Sequence, residues 1–355
     1  MTAEEIRERL REVKYPGFTR DIVSFGIVKD VDLDEKRVQV RLSIVTQNEE
    51  VSRQIVAGVE RVLGDLEGIA PVDIVVEGPG RGAQPQPSPQ PQLRGLPGVS
   101  RIIAVASGKG GVGKSTVAAN LASALAGLGF AVGLMDADIY GPSIPTMFGI
   151  GADERASSDE EGRFLPVERH GVRVISMGFF VRDGDPLIWR GPMLTKALNQ
   201  FLNEVAWGKL DYLILDLPPG TGDVQLTLTR QVALDGGVVV TTPQDVALSD
   251  VERGMKMFEQ AGTKVLGVVE NMSFHVCPDC GETSHIFGRG GGELMAERFE
   301  VPLLGTLPLL RSIRESGDLG VPAVASGETS EAVRAFTALA ENVAAALPVE
   351  VAGHA

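Results

Sequence analysis

Residues 101–136 read RIIAVASGKGGVGKSTVAANLASALAGLGFAVGLMD, and this stretch decides the fold. It opens with an apolar run short enough for one buried strand, passes through a cluster of glycines and continues as a longer uncharged segment. A second apolar run then ends at Asp136. The pattern predicts a strand over Arg101–Ser107, a helix over Lys114–Leu128 and a second strand over Ala131–Asp136.

The uncharged segment Ser115–Met135 approaches the length of a membrane-spanning helix. Polar Ser, Thr and Asn side chains interrupt it, and Gly127 and Gly129 lie within it. A helix followed by a buried strand therefore explains the segment better than a membrane span.

The same alternation of apolar strands and helices continues along the chain. Further short apolar runs predict strands at Val172–Met177, Tyr212–Asp216, Gly237–Thr241, Val265–Glu270 and Leu303–Leu307. Near-continuous apolar strands that alternate with helices are typical of a parallel sheet covered by helices on both faces. We therefore predict an α/β fold with its ligands at the carboxyl ends of the strands.

The chain divides, by its pattern, into four parts. Residues 1–77 predict a small α/β domain, in which Thr2 and Glu5 open a helix as a capping box. Its further elements are predicted as a helix to Val13, strands over Ile22–Val31, Arg37–Val45 and Val72–Val76, and a helix over Val51–Leu66. A proline- and glutamine-rich spacer is expected over 78–98, the main domain over 99–348 and a tail over 349–355.

Composition limits the classes of function. The formal net charge is −14, so the chain is a poor candidate for binding nucleic acid or an anionic membrane through bulk charge. The amino terminus, MTAEEIRERL, is charged rather than apolar, and the chain has two cysteines. These features predict neither a secretory signal nor a disulfide framework, and we expect a cytoplasmic protein.

The glycine cluster fits the pattern G-x-x-x-x-G-K-[ST] between a buried strand and a helix. Glycines allow backbone N–H groups to approach phosphates closely, and the helix amino terminus adds a favourable partial charge. We predict that Lys114 reaches the β- and γ-phosphates of ATP and that Ser115 ligates Mg²⁺. The predicted nucleotide-binding residues of this loop are Gly108, Lys109, Gly110, Gly111, Val112, Gly113, Lys114, Ser115 and Thr116.

Aspartates follow two of the predicted strands. A carboxylate at the end of an apolar strand is costly unless it faces a cation, and Mg²⁺ needs few protein ligands besides water and phosphate oxygens. Asp216 is therefore predicted to hold Mg²⁺ through water. Asp136 and Asp223 either support this site or cap the segments that follow them.

The two cysteines, Cys277 and Cys280, stand in C-x-x-C spacing, which lets two thiolates converge on one metal. A zinc ion or an iron–sulfur cluster requires four protein ligands. Either His275 and His285 complete the site within one chain, or two chains share it. We favour one cluster that bridges two chains, each of which contributes two thiolates. A structural zinc site, a redox pair and inert buried thiols remain alternatives, and both histidines are expected to be loop residues.

Several stretches together carry a family resemblance. They are SGKGGVGKST, DADIYGPSIP, WRGPM at Trp189–Met193, DYLILDLPPGTGD, TTPQDVAL, ENMSFHVCPDCGE and FGRGGGE. KGGVGKST resembles the deviant Walker A motif of the MinD, ParA and nitrogenase-iron-protein branch of P-loop ATPases. The whole set, over Gly98–Leu347, resembles the Mrp-type (ApbC-like) iron–sulfur cluster carrier ATPases.

The resemblance implies roles for individual residues. Lys109 would reach across a dimer interface to the partner's nucleotide, as an arginine finger does. Asp138 would orient the attacking water, and Asn271, together with Thr242–Gln244, would contact adenine. Pro218–Asp223 would form the segment that moves when the γ-phosphate leaves.

The resemblance also implies an activity and partners. The protein is expected to be a homodimeric ATPase that carries a bridging cluster, of the 4Fe-4S type, from an assembly scaffold to apoproteins. Residues 1–77 resemble a small domain of cluster-assembly factors, but the loop Ile44–Glu49 lacks the cysteine usual there, which favours a docking or regulatory role.

Two other functions stay open. One is a zinc-stapled nucleotide-dependent switch. The other is a positioning ATPase of the MinD/ParA kind, which predicts a basic amphipathic tail. After Thr329, however, the sequence contains three glutamates and one arginine, namely Glu331, Glu341, Glu350 and Arg334. This net negative charge argues against a positioning ATPase.

Overall fold

The computed structural model describes residues 2–14, 16, 21–24, 26–34, 37–43, 49–64, 72–77, 95–139, 141–151, 154, 157–180, 200–327 and 329–349. The chain divides into two compact units, Met1–Gln90 and Pro91–Ala355. Most of the predicted spacer (78–94) and the end of the predicted tail (350–355) lie outside the described residues, so these boundaries stay predictions.

The described residues of the first unit form two α-helices, a short 3-10 turn at Leu10–Glu12 and three strands. The α-helices and strands are α1 (Ala3–Arg9), β1 (Val28–Asp34), β2 (Arg37–Ser43), α2 (Glu49–Gly64) and β3 (Val72–Glu77). Strand β2 is central, antiparallel to β1 and parallel to β3.

The capping box of α1 is confirmed, since Thr2 and Glu5 exchange side-chain and backbone hydrogen bonds. The predicted start of the first strand at Ile22 is wrong by several residues. A turn intervenes, in which Gly26 takes a left-handed φ of 74° and donates to Val23 O, and the strand begins only at Val28.

The second unit alternates strands with helices. Its strands are β4 (Val99–Ala106), β5 (Val132–Asp136), β6 (Val167–Arg169), β7 (Val172–Ser176), β8 (Leu210–Asp216), β9 (Gly236–Thr241), β10 (Val265–Val276), β11 (Thr283–Ser284) and β12 (Leu303–Pro308). Its helices are α3 (Lys114–Gly127), α4 (Ile144–Met147), α5 (Asp223–Gln231), α6 (Asp245–Gln260), α7 (Gly291–Arg298), α8 (Arg311–Asp318) and α9 (Glu331–Ala346).

A parallel sheet forms the centre of this unit, in the order β12-β10-β9-β4-β8-β5-β7. Strands β6 and β11 add antiparallel pairs, to β7 and to the far end of β10. Helices α3 and α9 pack together against the sheet, and α6 and α7 pack together against β9 and β10. The predicted α/β fold with a mostly parallel, helix-covered sheet is confirmed.

The segment that could have been taken for a membrane span forms α3 and β5, as expected. Within the described residues, every helix is either too short or too polar to cross a bilayer.

One element differs from its prediction in a way that matters for the site. Strand β10 was expected to end at Glu270, but it continues to Val276. Its parallel pairing with β9 stops at Glu270, where Thr241 is the partner, and Met272 then adopts a φ of 56°. Beyond this irregularity the strand is held by β12 and β11 instead.

Candidate nucleotide site and cysteine hairpin

The glycine-rich loop lies between β4 and α3, as predicted. Gly111 and Gly113 have left-handed φ values of 83° and 81°, which favour glycine. A Cβ at Gly113 would also overlap Nδ2 of Asn271, a side chain that donates to Val112 O at 2.9 Å. The loop therefore needs glycine at this position for its backbone conformation and for its packing.

A buried charge cluster lies beside this loop. Lys114, only 5% exposed, has its Nζ 2.6 Å from Asp216 Oδ1 and 3.7 Å from Asp138 Oδ2. Ser115 Oγ donates to Asp216 Oδ2 at 2.5 Å. Burial raises the pKa of Asp216, and the charge of Lys114 opposes that rise. A hydroxyl and a carboxylate oxygen thus converge as the hard ligands that Mg²⁺ prefers, and the residues fit this ion.

Asp136 lies next to Asp216 in the register of β5 and β8 and is fully buried. Its carboxylate accepts hydrogen bonds from the backbone of Asp138 (3.1 Å) and Ile144 (3.3 Å) and from Ser176 Oγ (2.9 Å). Burial, and then the charge of Asp216, raise the pKa of Asp136 to about 8. Of the two predicted roles, this geometry favours the capping one: Asp136 fixes both ends of the segment that carries Asp138.

A cavity of about 200 Å³ lies over the loop. The predicted residues that line it are Lys109, Gly110, Gly111, Gly113, Lys114, Ser115, Thr116 and Asp138, together with Ser107, Met147 and Pro219. The predicted residues Gly108 and Val112 are absent from this lining; Val112 is only 2% exposed, and a Cβ at Gly108 would overlap the backbone of Asp250.

A second cavity, of about 580 Å³, adjoins the first, because Thr116 and Met147 line both. Asn271 lines it, as the prediction of a base-contacting residue requires. Its wall also includes Gly141–Ser143, from the stretch DADIYGPSIP, and Pro308–Leu310, Ile313 and Arg314, which the sequence did not single out. Arg314, Gly317 and Asp318 lie on α8, which follows the end of β12.

The predicted contribution of Thr242–Gln244 to this pocket is not found, although all three residues are described and neither cavity includes them in its lining. They follow β9, whereas the strands that contribute to this wall near their carboxyl ends are β10 and β12. Strand β10 separates them from β12 in the sheet.

The cysteines form the turn of a hairpin at the tip of β10. Strand β11 pairs with His275 and Val276. The N–H of Cys277 donates to Glu282 O, and its carbonyl accepts from Gly281 N–H, both at 2.9 Å. Cys277 is half-buried and Cys280 exposed. Hydrogen bonds from the backbone of Cys280 and Asp279 lower the pKa of the Cys277 thiol, which favours the thiolate that binds metal.

The histidines near the cysteines are held by backbone carbonyls. Nδ1 of His275 contacts Leu309 O at 2.9 Å, and Nδ1 of His285 contacts Ser273 O at 2.9 Å. His285 follows β11 in a loop, as expected, but His275 lies within β10, so its prediction as a loop residue is wrong. Across the described part of the chain, which includes both histidines and both cysteines, no three His, Cys, Asp or Glu side chains are grouped to hold a metal.

A family model described as NUBPL iron-transfer P-loop NTPase matches residues 98–344. The chain belongs to this family. A second model, described as iron-sulfur cluster assembly protein, matches residues 3–76. The resemblance inferred from the motifs is thereby confirmed for both parts of the chain.

Several named proteins are similar to this chain along most of their length. A protein from Synechocystis sp. named iron-sulfur cluster carrier protein is 45% identical over 349 residues, 97% of this chain and 97% of the relative. A protein of the same name from Deinococcus radiodurans is 46% identical and covers 96% and 94%. Its namesake in Escherichia coli is 53% identical over 253 residues, 71% of this chain and 68% of the relative.

Solved structures share the fold of the second unit. A nucleotide-binding protein in complex with ADP from Archaeoglobus fulgidus is 40% identical, with a TM-score of 0.57, and covers 65% of this chain and 90% of that one. The cell division ATPase MinD from Pyrococcus furiosus is 25% identical, with a TM-score of 0.52, and covers 69% and 98%. The fold is that of the P-loop NTPases.

Three predicted features of this family fall outside the described residues. They are the segment WRGPM at Trp189–Met193, most of the loop Ile44–Glu49 and the side chain of Asp223, whose backbone begins α5. The signal that sequence reasoning missed was LPLLRSIRESGDLG at 307–320, a strand end followed at once by a helix at the same edge of the sheet as the glycine-rich loop.

Proposed function

We propose that this chain is an ATP-hydrolysing iron–sulfur cluster carrier in which two copies hold one cluster between their cysteine pairs. The single observation that carries the proposal is the hairpin at the tip of β10. It presents two thiols in an accessible turn, close in sequence to Asn271 at the nucleotide cavity. Names of the relatives point the same way.

Sharing between two chains follows from the ligand count. Cys277 and Cys280 supply two thiolates, and among the described residues no third His, Cys, Asp or Glu side chain is grouped with them to hold a metal. Two hairpins together supply the four thiolates of a 4Fe-4S cluster.

ATP binding is assigned to the two adjoining cavities, with the phosphates over the glycine-rich loop and the base beside Asn271. Lys114 would neutralise the β- and γ-phosphates, while Ser115 and, through water, Asp216 would hold Mg²⁺. Asp138 would orient the attacking water, and Lys109 of a second copy would stabilise the charge that develops on the transferred phosphoryl group.

The proposed partners follow from the cargo. A carrier must accept the cluster from an assembly scaffold and release it to apoproteins, and both exchanges suit a cytoplasmic protein. We assign docking or regulation to the domain at residues 1–77, which keeps cluster ligation to the cysteine hairpin.

Anaerobic reconstitution with iron and sulfide tests the proposal. The protein should gain visible absorption, with iron and sulfide in the ratio of one 4Fe-4S cluster per two chains. Cys277→Ala and Cys280→Ala should each abolish this absorption, whereas Asp279→Ala, within the same turn, should retain it.

Metal analysis distinguishes the cluster carrier from a zinc-stapled switch, in which the same two thiolates would bind zinc instead of a cluster. One zinc per dimer, with no iron retained after reconstitution, would contradict the carrier and select the switch. A strictly monomeric protein with a full metal complement would contradict both.

The two sites are chemically separate in this proposal. Lys114→Ala should abolish nucleotide binding, because it removes the charge that faces the phosphates, while Cys277→Ala should leave nucleotide binding intact. Loss of ATP binding on the cysteine substitution would show that the cysteine turn is part of the nucleotide site.

A further inference from the structure

Leu309 lies between the larger cavity and the cysteine hairpin. It follows the end of β12 and, with Pro308 and Leu310, forms part of the cavity wall. Its N–H donates to Phe274 O at 2.7 Å, and its carbonyl contacts His275 Nδ1 at 2.9 Å. Both backbone polar groups of a wall residue are therefore held by the distal half of β10.

The contact from His275 is directional. A carbonyl oxygen only accepts hydrogen bonds, so Nδ1 carries the proton and donates it to Leu309 O. The side chain is half-buried, and it thus holds a fixed tautomer and orientation against the cavity wall.

This end of β10 depends on few other contacts. Its pairing with β9 ends at Glu270, and beyond the turn in the backbone at Met272 the described pairings are those of Phe274 with Pro308 and of His275–Val276 with β11. Strand β11 belongs to the cysteine hairpin itself. The wall at Pro308–Leu310 and the cysteine hairpin are therefore joined directly through Phe274 and His275.

The second histidine provides an internal comparison. His285 also contacts a carbonyl through Nδ1, at the same distance of 2.9 Å, but its acceptor is Ser273 O. That contact ties the return of the hairpin to β10 and involves no residue of the cavity wall. The two histidines thus make equivalent hydrogen bonds with different consequences.

We propose that His275 is a positioning residue that couples occupancy of the nucleotide cavity to the position of the Cys277–Cys280 turn. A nucleotide seated against Pro308–Leu310 sets the position of Leu309, and the hydrogen bond to His275 passes that position to the cysteines. The proposal rests on the proposed function only in that the cavity takes a nucleotide. By thermodynamic linkage the coupling is reciprocal. Metal bound at the cysteines changes the affinity for nucleotide by the same factor as nucleotide changes the affinity for metal.

Thiol labelling of the metal-free protein tests the coupling without a cluster. The rates at which iodoacetamide alkylates Cys277 and Cys280 are measured by mass spectrometry at one pH, with and without Mg²⁺ and the non-hydrolysable analogue AMP-PNP. In the wild-type protein the nucleotide should change the rate at least about fivefold, the lower range of allosteric coupling. In His275→Ala the ratio should fall to less than about half of the wild-type value, although the backbone bond from Leu309 N–H to Phe274 O remains and titration shows that AMP-PNP still binds.

Two further variants make the result specific. Asparagine can place an N–H donor where Nδ1 lies, so His275→Asn should restore the nucleotide effect, which a metal-ligand role for the imidazole would not allow. His285→Ala should alter the rate without nucleotide but keep the ratio between the two states.

Two outcomes would overturn the inference: a wild-type rate indifferent to AMP-PNP, or a wild-type ratio preserved in His275→Ala. A wild-type ratio in His275→Ala would also be observed if the nucleotide protected the thiols only by causing dimer formation. If the reconstitution experiment fails but the nucleotide changes the labelling rate as expected, the carrier function is refuted and the coupling through His275 is retained.

Discussion

At the scale of single residues, the nucleotide loop is constrained from two directions. Its own backbone needs left-handed glycines, and the side chain of Asn271 fills the space beside Gly113. The charged residues beside the loop are constrained as well, since buried Lys114 forms ion pairs with both Asp216 and Asp138. A buried lysine of this kind is tolerated because its partners compensate the loss of hydration.

Gly113→Ala should weaken nucleotide binding. The new methyl group would sit at a left-handed φ and displace Asn271 from both the loop and the cavity. We expect a loss of at least about tenfold in affinity for Mg-ADP, or about 1.4 kcal/mol, by isothermal titration calorimetry.

Gly127→Ala is the matched control, because a Cβ there meets nothing within 4 Å and the residue ends α3 without a left-handed φ. Its affinity should equal that of the wild-type protein. Equal affinities for both variants would show that the loop tolerates a side chain at Gly113.

Asp138→Asn should separate hydrolysis from binding. The residue is 7% exposed and lines the smaller cavity, where an amide cannot orient water as a carboxylate does. The hydrolysis rate should fall by about 100-fold or more, the range for loss of a general base, while ATP still binds.

Phosphate release and nucleotide titration measure these two quantities. Asp279→Asn, an exposed aspartate between the cysteines, should leave both unchanged. Undiminished hydrolysis in Asp138→Asn would remove that residue from the mechanism.

At the scale of elements, β10 is the part that joins the two sites. One strand carries Asn271 at the cavity and leads directly into Cys277, and Glu270 anchors it to the next helix. Glu270 is 2% exposed and accepts from Ser273 Oγ and from Gly292 N–H, both at 2.5 Å. Its negative charge therefore lies at the amino terminus of α7, where the helix dipole favours it.

Glu270→Ala should destabilise the protein by about 2 kcal/mol, because the buried Gly292 N–H and Ser273 hydroxyl lose their acceptor. Urea denaturation measures this loss in the free energy of unfolding. Glu293→Ala, an exposed change in the first turn of the same helix, should cost no more than about 0.5 kcal/mol. Similar losses for both variants would mean that the buried carboxylate has no special role.

At the scale of the whole molecule, two separate hydrophobic cores account for the two units. One core is built on α1, α2 and the strands of the first unit, and the other on the large parallel sheet and its helices. Both cavities and the cysteine hairpin belong to the second unit. Ligand binding should therefore stabilise one unit specifically.

Differential scanning calorimetry should resolve two unfolding transitions. Mg-ADP at about 100 times its dissociation constant should stabilise only the larger one, by about 2.7 kcal/mol through mass action. Lys114→Ala should abolish that shift and leave the smaller transition unchanged. A single transition that moves as a whole would show that the units unfold together.

The fold was predictable from the sequence to a large extent, because its signals are local. Strands β4, β5 and β8 are short apolar runs, and β5 and β8 both end in the aspartates that were singled out. One prediction ended a strand too early. After Glu270 the residues Asn271–Val276 alternate polar and apolar side chains, which is itself a strand pattern, and β11 and β12 hold this stretch extended as far as Val276.

The sequence by itself determined the glycine-rich loop and the C-x-x-C cysteine pair, since each is a contiguous motif whose chemistry depends on residue type and spacing. Only the tertiary structure decided what surrounds them: the cavity wall at Pro308–Leu310 and the contact between Leu309 and His275. The physical reason is that these contacts use backbone carbonyls and N–H groups. Every residue type carries a backbone carbonyl, so two distant segments that meet through one leave no mark in the sequence.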